Sequence, residues 1–247
     1  MITNLVAKIF KRKPVVTFWS ENEVINELYP IYPAKDYHRK WVKNCARAFQ
    51  KYRKRESGKY TLLTATKCPG IRNIMEAGYI MQTWCDIVIE TKDGKYEVEL
   101  PQRLDPVLER INYDRPVITE FDMRYSPMRI PTGYNIPFIL KWNSPYTFEV
   151  ADGYNLIIAP VTYDDDPPFT ACPGMTDGFN PNFNVHMYWH VKDGRIHIPA
   201  GTPLCQLIPV KTGYNIETKI ADAEATKRIR KKEFTMNNTF KRGGSSW

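Results

Sequence analysis

Between residues 84 and 210 apolar and polar positions alternate in short runs, the period of two that a half-buried strand imposes. WCDIVIE (Trp84 to Glu90) and YEVEL (Tyr96 to Leu100) flank Lys92 to Lys95, with Asp93-Gly94 at its centre. An Asp-Gly pair between alternating runs predicts a two-residue hairpin. In that register Glu90 faces Glu97 and Ile89 faces Val98, leaving one apolar face and one acidic face that carries Asp86, Glu97 and Glu99. VHMYWHV (Val185 to Val191) and RIHI (Arg195 to Ile198) repeat the device around Asp193-Gly194. They predict a second hairpin, with Val191 opposite Ile196, Trp189 opposite Ile198 and His190 opposite His197. Further strands are predicted at Pro137 to Trp142, Tyr146 to Val150, Tyr154 to Val161 and Leu204 to Val210. Many short strands at this spacing imply a sandwich or barrel.

The period changes at both ends. Over residues 36–55, Tyr37, Trp41, Cys45, Ala48, Phe49 and Tyr52 recur at helical steps, with Arg39, Lys43, Arg47 and Lys51 on the other face. Asp36 is placed to cap this helix and Ser57-Gly58 to end it. YPIYP (Tyr29 to Pro33) reads as a proline-fixed extended connector. Residues 216–234 return to a helical period, and MNNTFKRGGSSW reads as a tail.

Charge follows this division. Residues 1–59 carry 14 Lys/Arg against 5 Asp/Glu, residues 60–218 carry 13 against 19, and residues 219–247 carry 8 against 3. An acidic body therefore lies between two basic ends, the distribution expected of arms that grip neighbouring subunits, phosphate or an acidic protein surface. The expected organisation is a basic arm and helix over 1–59, a β body over 60–215, and a helix with a basic tail over 216–247. Five widely spaced cysteines without a CxxC pair imply free thiols and a reducing compartment. No apolar run is long enough for a transmembrane helix, and the N-terminus lacks the order of a secretory signal.

Candidate chemistry is sparse. His186, His190 and His197 would share a face as metal ligands, yet Lys192 and Arg195 on that face would repel a cation, so no metal or cofactor is expected. IHIPAGTP resembles the second cupin motif, but the histidines and glutamate of a cupin site are missing. Gly153-Tyr154-Asn155-Leu156, Gly174-Met175-Thr176-Asp177 and Gly201-Thr202-Pro203-Leu204-Cys205-Gln206-Leu207 resemble the core of the dUTPase and dCTP-deaminase superfamily. That resemblance implies a β-clip over about 137–212, and Asp177 and Gln206 as its site residues if the chain is enzymatic. Val161-Thr162 stands where the family's phosphate-binding Arg-Ser pair would be, and Phe179 or Phe183 where a tyrosine would follow the aspartate. The site is thus expected to be degenerate.

KCPGI (Lys67 to Ile71), GYIMQTWCDIVI (Gly78 to Ile89), DGYNLIIAPV, FTACPGM and PAGTPLCQLIPV resemble an uncharacterised family common in tailed phages of aquatic bacteria. Lambdoid head-decoration proteins are also β-clips, and they assemble as trimers. The expectation is a mainly β protein with a β-clip or sandwich-like body, an N-terminal basic helix and a C-terminal helix. Its expected role is a non-enzymatic virion or assembly protein, resident in the virion or host cytoplasm. Its expected partners are other phage structural proteins and further copies of itself, with no membrane contact. Phe18, Trp19, Tyr29 and Tyr32 are the expected aromatic anchors, and Arg39, Lys43, Arg47 and Lys51 the expected guiding charges. The alternatives are a dUTPase-like nucleotide-binding or hydrolysing enzyme and an accessory nucleic-acid binder using the helix over 36–55.

Overall fold

The structure is a computed structural model and describes residues 14–20, 22–55, 65–100, 116–121, 139–181, 183–213 and 215–241. Fifteen strands follow one another among these residues. They are β1 (Val16–Ser20), β2 (Tyr32–Pro33), β3 (Tyr79–Gln82), β4 (Ile87–Lys92), β5 (Lys95–Glu99), β6 (Ile118–Phe121), β7 (Ile139–Asn143) and β8 (Tyr146–Val150). The rest are β9 (Tyr154–Ala159), β10 (Phe169–Ala171), β11 (Gly174–Thr176), β12 (Phe179–Asn180), β13 (Asn184–Trp189), β14 (Gly194–Ile198) and β15 (Pro203–Lys211). Four α-helices accompany them: α1 (Glu23–Leu28), α2 (Lys40–Arg55), α3 (Pro69–Glu76) and α4 (Ala223–Lys241). The fold is mainly β, as the alternation predicts.

The chain divides into two compact units: Met1–Tyr37 with Ala77–Thr212, and His38–Glu76 with Gly213–Trp247. All described strands belong to the first unit, and α2, α3 and α4 belong to the second. The strands form four antiparallel sheets, in the orders β1-β8-β12, β10-β13-β7-β6, β11-β9-β15-β3-β2 and β14-β4-β5. One apolar cluster draws on all of them, with Phe148, Leu140, Trp142, Met187, Trp189, Leu207, Ile87 and Ile89 buried in it. Alternation explains the membership: along β13, Val185, Met187 and Trp189 point inward while His186 and Tyr188 are half-buried on the other side.

The first hairpin forms as expected. Ile89 pairs with Val98 and Glu90 with Glu97. Asp93 and Gly94 take φ of 51° and 72°, the positive pair that a tight type I′ turn requires. The second hairpin does not form. β13 is flanked on one side by β7 and on the other by β10, so neither of its edges is open to β14. β14 pairs with β4 instead, placing His197 opposite Val88 and Ile198 opposite Ile87. Asp193 still acts at the crossing, where its Oδ1 accepts from the Asp93 backbone N–H at 3.1 Å. An Asp-Gly signal marks a local reversal, but it does not choose the partner strand.

Part of the N-terminal segment belongs to the sheets. β1 makes five residue pairs with β8, from Val16–Val150 to Ser20–Tyr146, and β2 pairs Tyr32 with Ile80. The basic helix begins at Lys40 and not at Asp36. Residues 34–36 form a 3₁₀ turn, and the Tyr37 hydroxyl donates to Asp164 Oδ1, drawing Tyr37 into the β unit and off the helix stripe. α4 starts at Ala223 because Asp222 caps it, its Oδ1 accepting from Ala225 N–H at 2.7 Å. Pro137, Phe138, Ser57-Gly58 and the Gly243-Gly244 tail lie outside the described residues. Gly78 cannot be replaced without cost: its φ is +69°, and a Cβ there would lie 2.0 Å from the Leu207 carbonyl oxygen.

Candidate functional site: an aromatic sheet face and an acidic cleft

The sheet β1-β8-β12 has one face toward the core and one toward solvent. Phe18 pairs with Phe148 on the inner face, with ring centroids 6.0 Å apart, and meets Tyr79 edge-on at 6.5 Å. One residue further along, Trp19 pairs with Thr147 and points outward, because strand side chains alternate. On the other edge Phe179 pairs with Glu149, also outward. Trp19 and Phe179 meet across β8 at 6.3 Å, and they are 43% and 62% exposed. Of the four expected aromatic anchors, Trp19 is therefore the one presented outward. Tyr29 packs against the main core, with its carbonyl accepting from Tyr146 Oη at 3.1 Å, and Tyr32 packs against a small cluster around Ile80. Burial pushes the Tyr146 hydroxyl up to about 12. Phe179 is the anchor that sequence reasoning passes over. It sits in a two-residue strand with no alternation to read, among phrases that suggest a turn.

The basic residues are dispersed. Lys43 and Arg47 are exposed on α2, whereas Arg39 is 3% exposed and donates to the Met75 carbonyl. Arg39 thus departs from the solvent face expected for it, because it precedes the helix and turns toward α3. The side chain of Lys51 lies outside the described residues.

The histidines separate. His186 packs edge-on against Phe121 at 4.7 Å and pairs with Lys141; burial first, and then Lys141, lowers its pKa. His190 Nε2 lies 2.8 Å from Thr170 Oγ1. His197 is on another sheet, with Nε2 3.6 Å from Asp86 Oδ1. The expected shared face is corrected by the pairing of β14 with β4. Among the described residues, no group of three or more His, Cys, Asp and Glu is placed to hold a metal ion.

Gln206 and Asp177 also part ways. Gln206 is fully buried on β15. Its Oε1 accepts from Thr162 N–H at 3.1 Å and from Thr162 Oγ1 at 2.8 Å, and its Nε2 donates to the Ala77 carbonyl at 2.7 Å. It clips the turn after β9 to the strand beside it. Asp177 is exposed between β11 and β12, and its carboxylate has no hydrogen bond among the described residues.

That same turn borders a cleft of about 190 Å³. Asp164, Asp166, Thr170 and His190 supply its polar groups, over a floor that includes Phe169 and Leu204. Tyr163 and Asp166 have φ of 54° and 62°, so the loop is held in a conformation few side chains favour. Two ties restrain it, Thr162 to Gln206 and Asp164 to Tyr37. Burial lowers the His190 pKa, offset in part by a hydrogen bond to the Pro167 backbone and by the charge of Asp166.

No protein-family profile matches the chain, and no curated protein matches it. Among solved structures it is similar to the native dUTPase of EIAV, at 13% identity over 60% of this chain and 85% of that one, with a TM-score of 0.31. It is also similar to a mutant dUTPase from phage phi11 of S. aureus, at 11% identity over 60% and 85%, TM-score 0.32. A Staphylococcus bacteriophage 80alpha dUTPase mutant with dUpNHpp matches at 10% identity over 60% and 78%, TM-score 0.32.

Proposed function

We propose that this chain is a non-enzymatic structural or assembly protein of a tailed-phage particle, acting through protein–protein contacts and self-association. The observation that carries this reading is the Trp19–Phe179 pair laid across β8 in solvent. Large rigid aromatics are the side chains that most often anchor protein interfaces, because they bury much area at little entropic cost. The phrases that resemble a tailed-phage family support the phage setting. The basic ends and acidic middle support association guided by charge. The test is a double variant, Trp19→Ser with Phe179→Ser, compared with the parent by sedimentation and by incorporation into assembled particles. A lower oligomer mass or reduced incorporation with an unchanged melting temperature is expected. Unchanged assembly would sink the reading.

One observation favours a dUTPase-like nucleotide-binding or hydrolysing enzyme. Two of the three dUTPase-like phrases fall on β9 and β15, which pair side by side from Tyr154–Lys211 to Ala159–Gln206. Against it, Thr162 occupies the place of the phosphate-binding pair and is taken up by Gln206. Asp164 and Asp166 nearby would repel a triphosphate. Incubation with dUTP and with dCTP should release no pyrophosphate or ammonia above a protein-free control. Release that disappears in Asp177→Ala would establish the enzyme instead.

A further inference from the structure

The acidic cleft carries an inference independent of the aromatic face. We propose that it binds an ammonium or guanidinium head on an aliphatic stem, the chemistry of a lysine or arginine side chain. The size points that way first. At about 190 Å³ the cleft falls below the roughly 300–1,000 Å³ of pockets that enclose drug-sized ligands, and suits one long side chain.

The charges point the same way. Asp164 and Asp166 line the cleft, and none of its lining residues is Lys or Arg. Asp164 Oδ1 accepts from the Tyr37 hydroxyl and from the Asp165 N–H, which fixes the carboxylate. Its Oδ2 and the Asp166 carboxylate make no hydrogen bond among the described residues. Thr170 and His190 bond each other, and the charge of Asp166 acts on the His190 imidazole. Two carboxylates with open acceptor positions beside an apolar floor of Phe169 and Leu204 match a ligand with a donor-rich charged head and a methylene stem.

Other occupants fit less well. A phosphate-bearing ligand would face two carboxylates. A calcium or magnesium ion would want at least six oxygen ligands, more than this wall offers, and among the described residues no group of three or more His, Cys, Asp and Glu is placed to hold a metal ion.

The test uses the full chain and amide chemical shifts, titrated with Nα-acetyl-lysine methylamide, Nα-acetyl-arginine methylamide, putrescine and the neutral Nα-acetyl-norleucine methylamide. Saturable shifts are expected at Asp166, Thr170 and His190 with the lysine and arginine compounds, and none with norleucine. Asp166 is exposed, so Asp166→Asn should leave the fold intact while weakening binding about fivefold, the scale of one partly screened ion pair. Asp164→Asn should weaken it similarly. If putrescine shifts the same amides, a free amine is also a ligand; if it is silent, the site reads a peptide-borne side chain. Either outcome supports the cation site. Equal shifts with norleucine, or a response unchanged in both asparagine variants, would overturn it.

Discussion

Gln206 is buried in the middle of β15, yet the oxygen and the nitrogen of its amide are both engaged, by Thr162 and by the Ala77 carbonyl. A buried amide of this kind contributes less by its own bonds than by what its removal strands. Gln206→Leu keeps the volume but leaves the Thr162 N–H and the Ala77 carbonyl without that partner. A loss of about 2–4 kcal/mol in unfolding free energy by urea titration is expected. His186 supplies a different residue-scale effect. Burial, then Lys141, holds its pKa below the unfolded value near 6.5. The folded state therefore disfavours the proton. The stability linked to His186 is fully present above the unfolded pKa and is lost as pH falls through the folded one. Urea midpoints measured from pH 7.5 down to 5 should fall more steeply below pH 6.5 in the parent than in His186→Gln. Parallel curves would show that the imidazole environment differs from the one described.

At the scale of elements, the clearest constraint is the junction of α3 with β3. Gly78 has φ +69°, and its absent Cβ makes room for the Leu207 carbonyl, which would otherwise lie 2.0 Å away. Backbone must move to admit even a methyl group. Gly78→Ala is expected to cost about 3 kcal/mol or more, read as a fall in melting temperature, with loss of amide protection at Ile80 and Leu207. The same scale shows what the chain's pattern can convey. The β4–β5 hairpin is legible because its turn, register and both faces are local, and Glu90–Glu97 stands where alternation puts it. The partner of β14 is not legible. β13 has the right alternation and an adjacent Asp-Gly, but β7 and β10 occupy its edges, and β4, the strand that β14 takes instead, is remote from it in sequence. The helix α2 starts later than its stripe predicts for a related reason: Tyr37 fits the helical stripe, and its contact with Asp164, 127 positions away, removes it. The candidate sites divide in the same manner. Trp19 is legible as one of the four expected aromatic anchors in the N-terminal segment, with Phe18, Tyr29 and Tyr32, whereas Phe179 and the cleft arise only when β12, β10 and β15 are brought to their neighbours.

The molecule as a whole has a β unit whose buried cluster holds no residue from 38–76 or beyond Leu207 among those described. This makes a sharp forecast for truncation. Removing residues 1–33 would take β1, with its five pairs to β8, together with β2, the buried Ile25 and the Phe18 ring. The loss of several buried side chains at about 1.5–3 kcal/mol each exceeds the margin of an ordinary domain. That protein should fail to give a cooperative melt. Removing residues 1–13 leaves every described strand in place, and removing residues 213–247 takes only α4 and the exposed stretch before it. Both should melt within about 3 °C of the parent. The shorter N-terminal deletion also removes Lys8, Lys11, Arg12 and Lys13. If basic ends steer association, self-association at low salt should slow while stability is unchanged, and raising the salt should erase the difference, because screening acts on the encounter more than on the formed contact. A cooperative melt after removal of residues 1–33 would show β1 to be dispensable. Equal association rates at low salt in the 1–13 deletion would remove the charges at that end from the mechanism and leave the aromatic face to act alone.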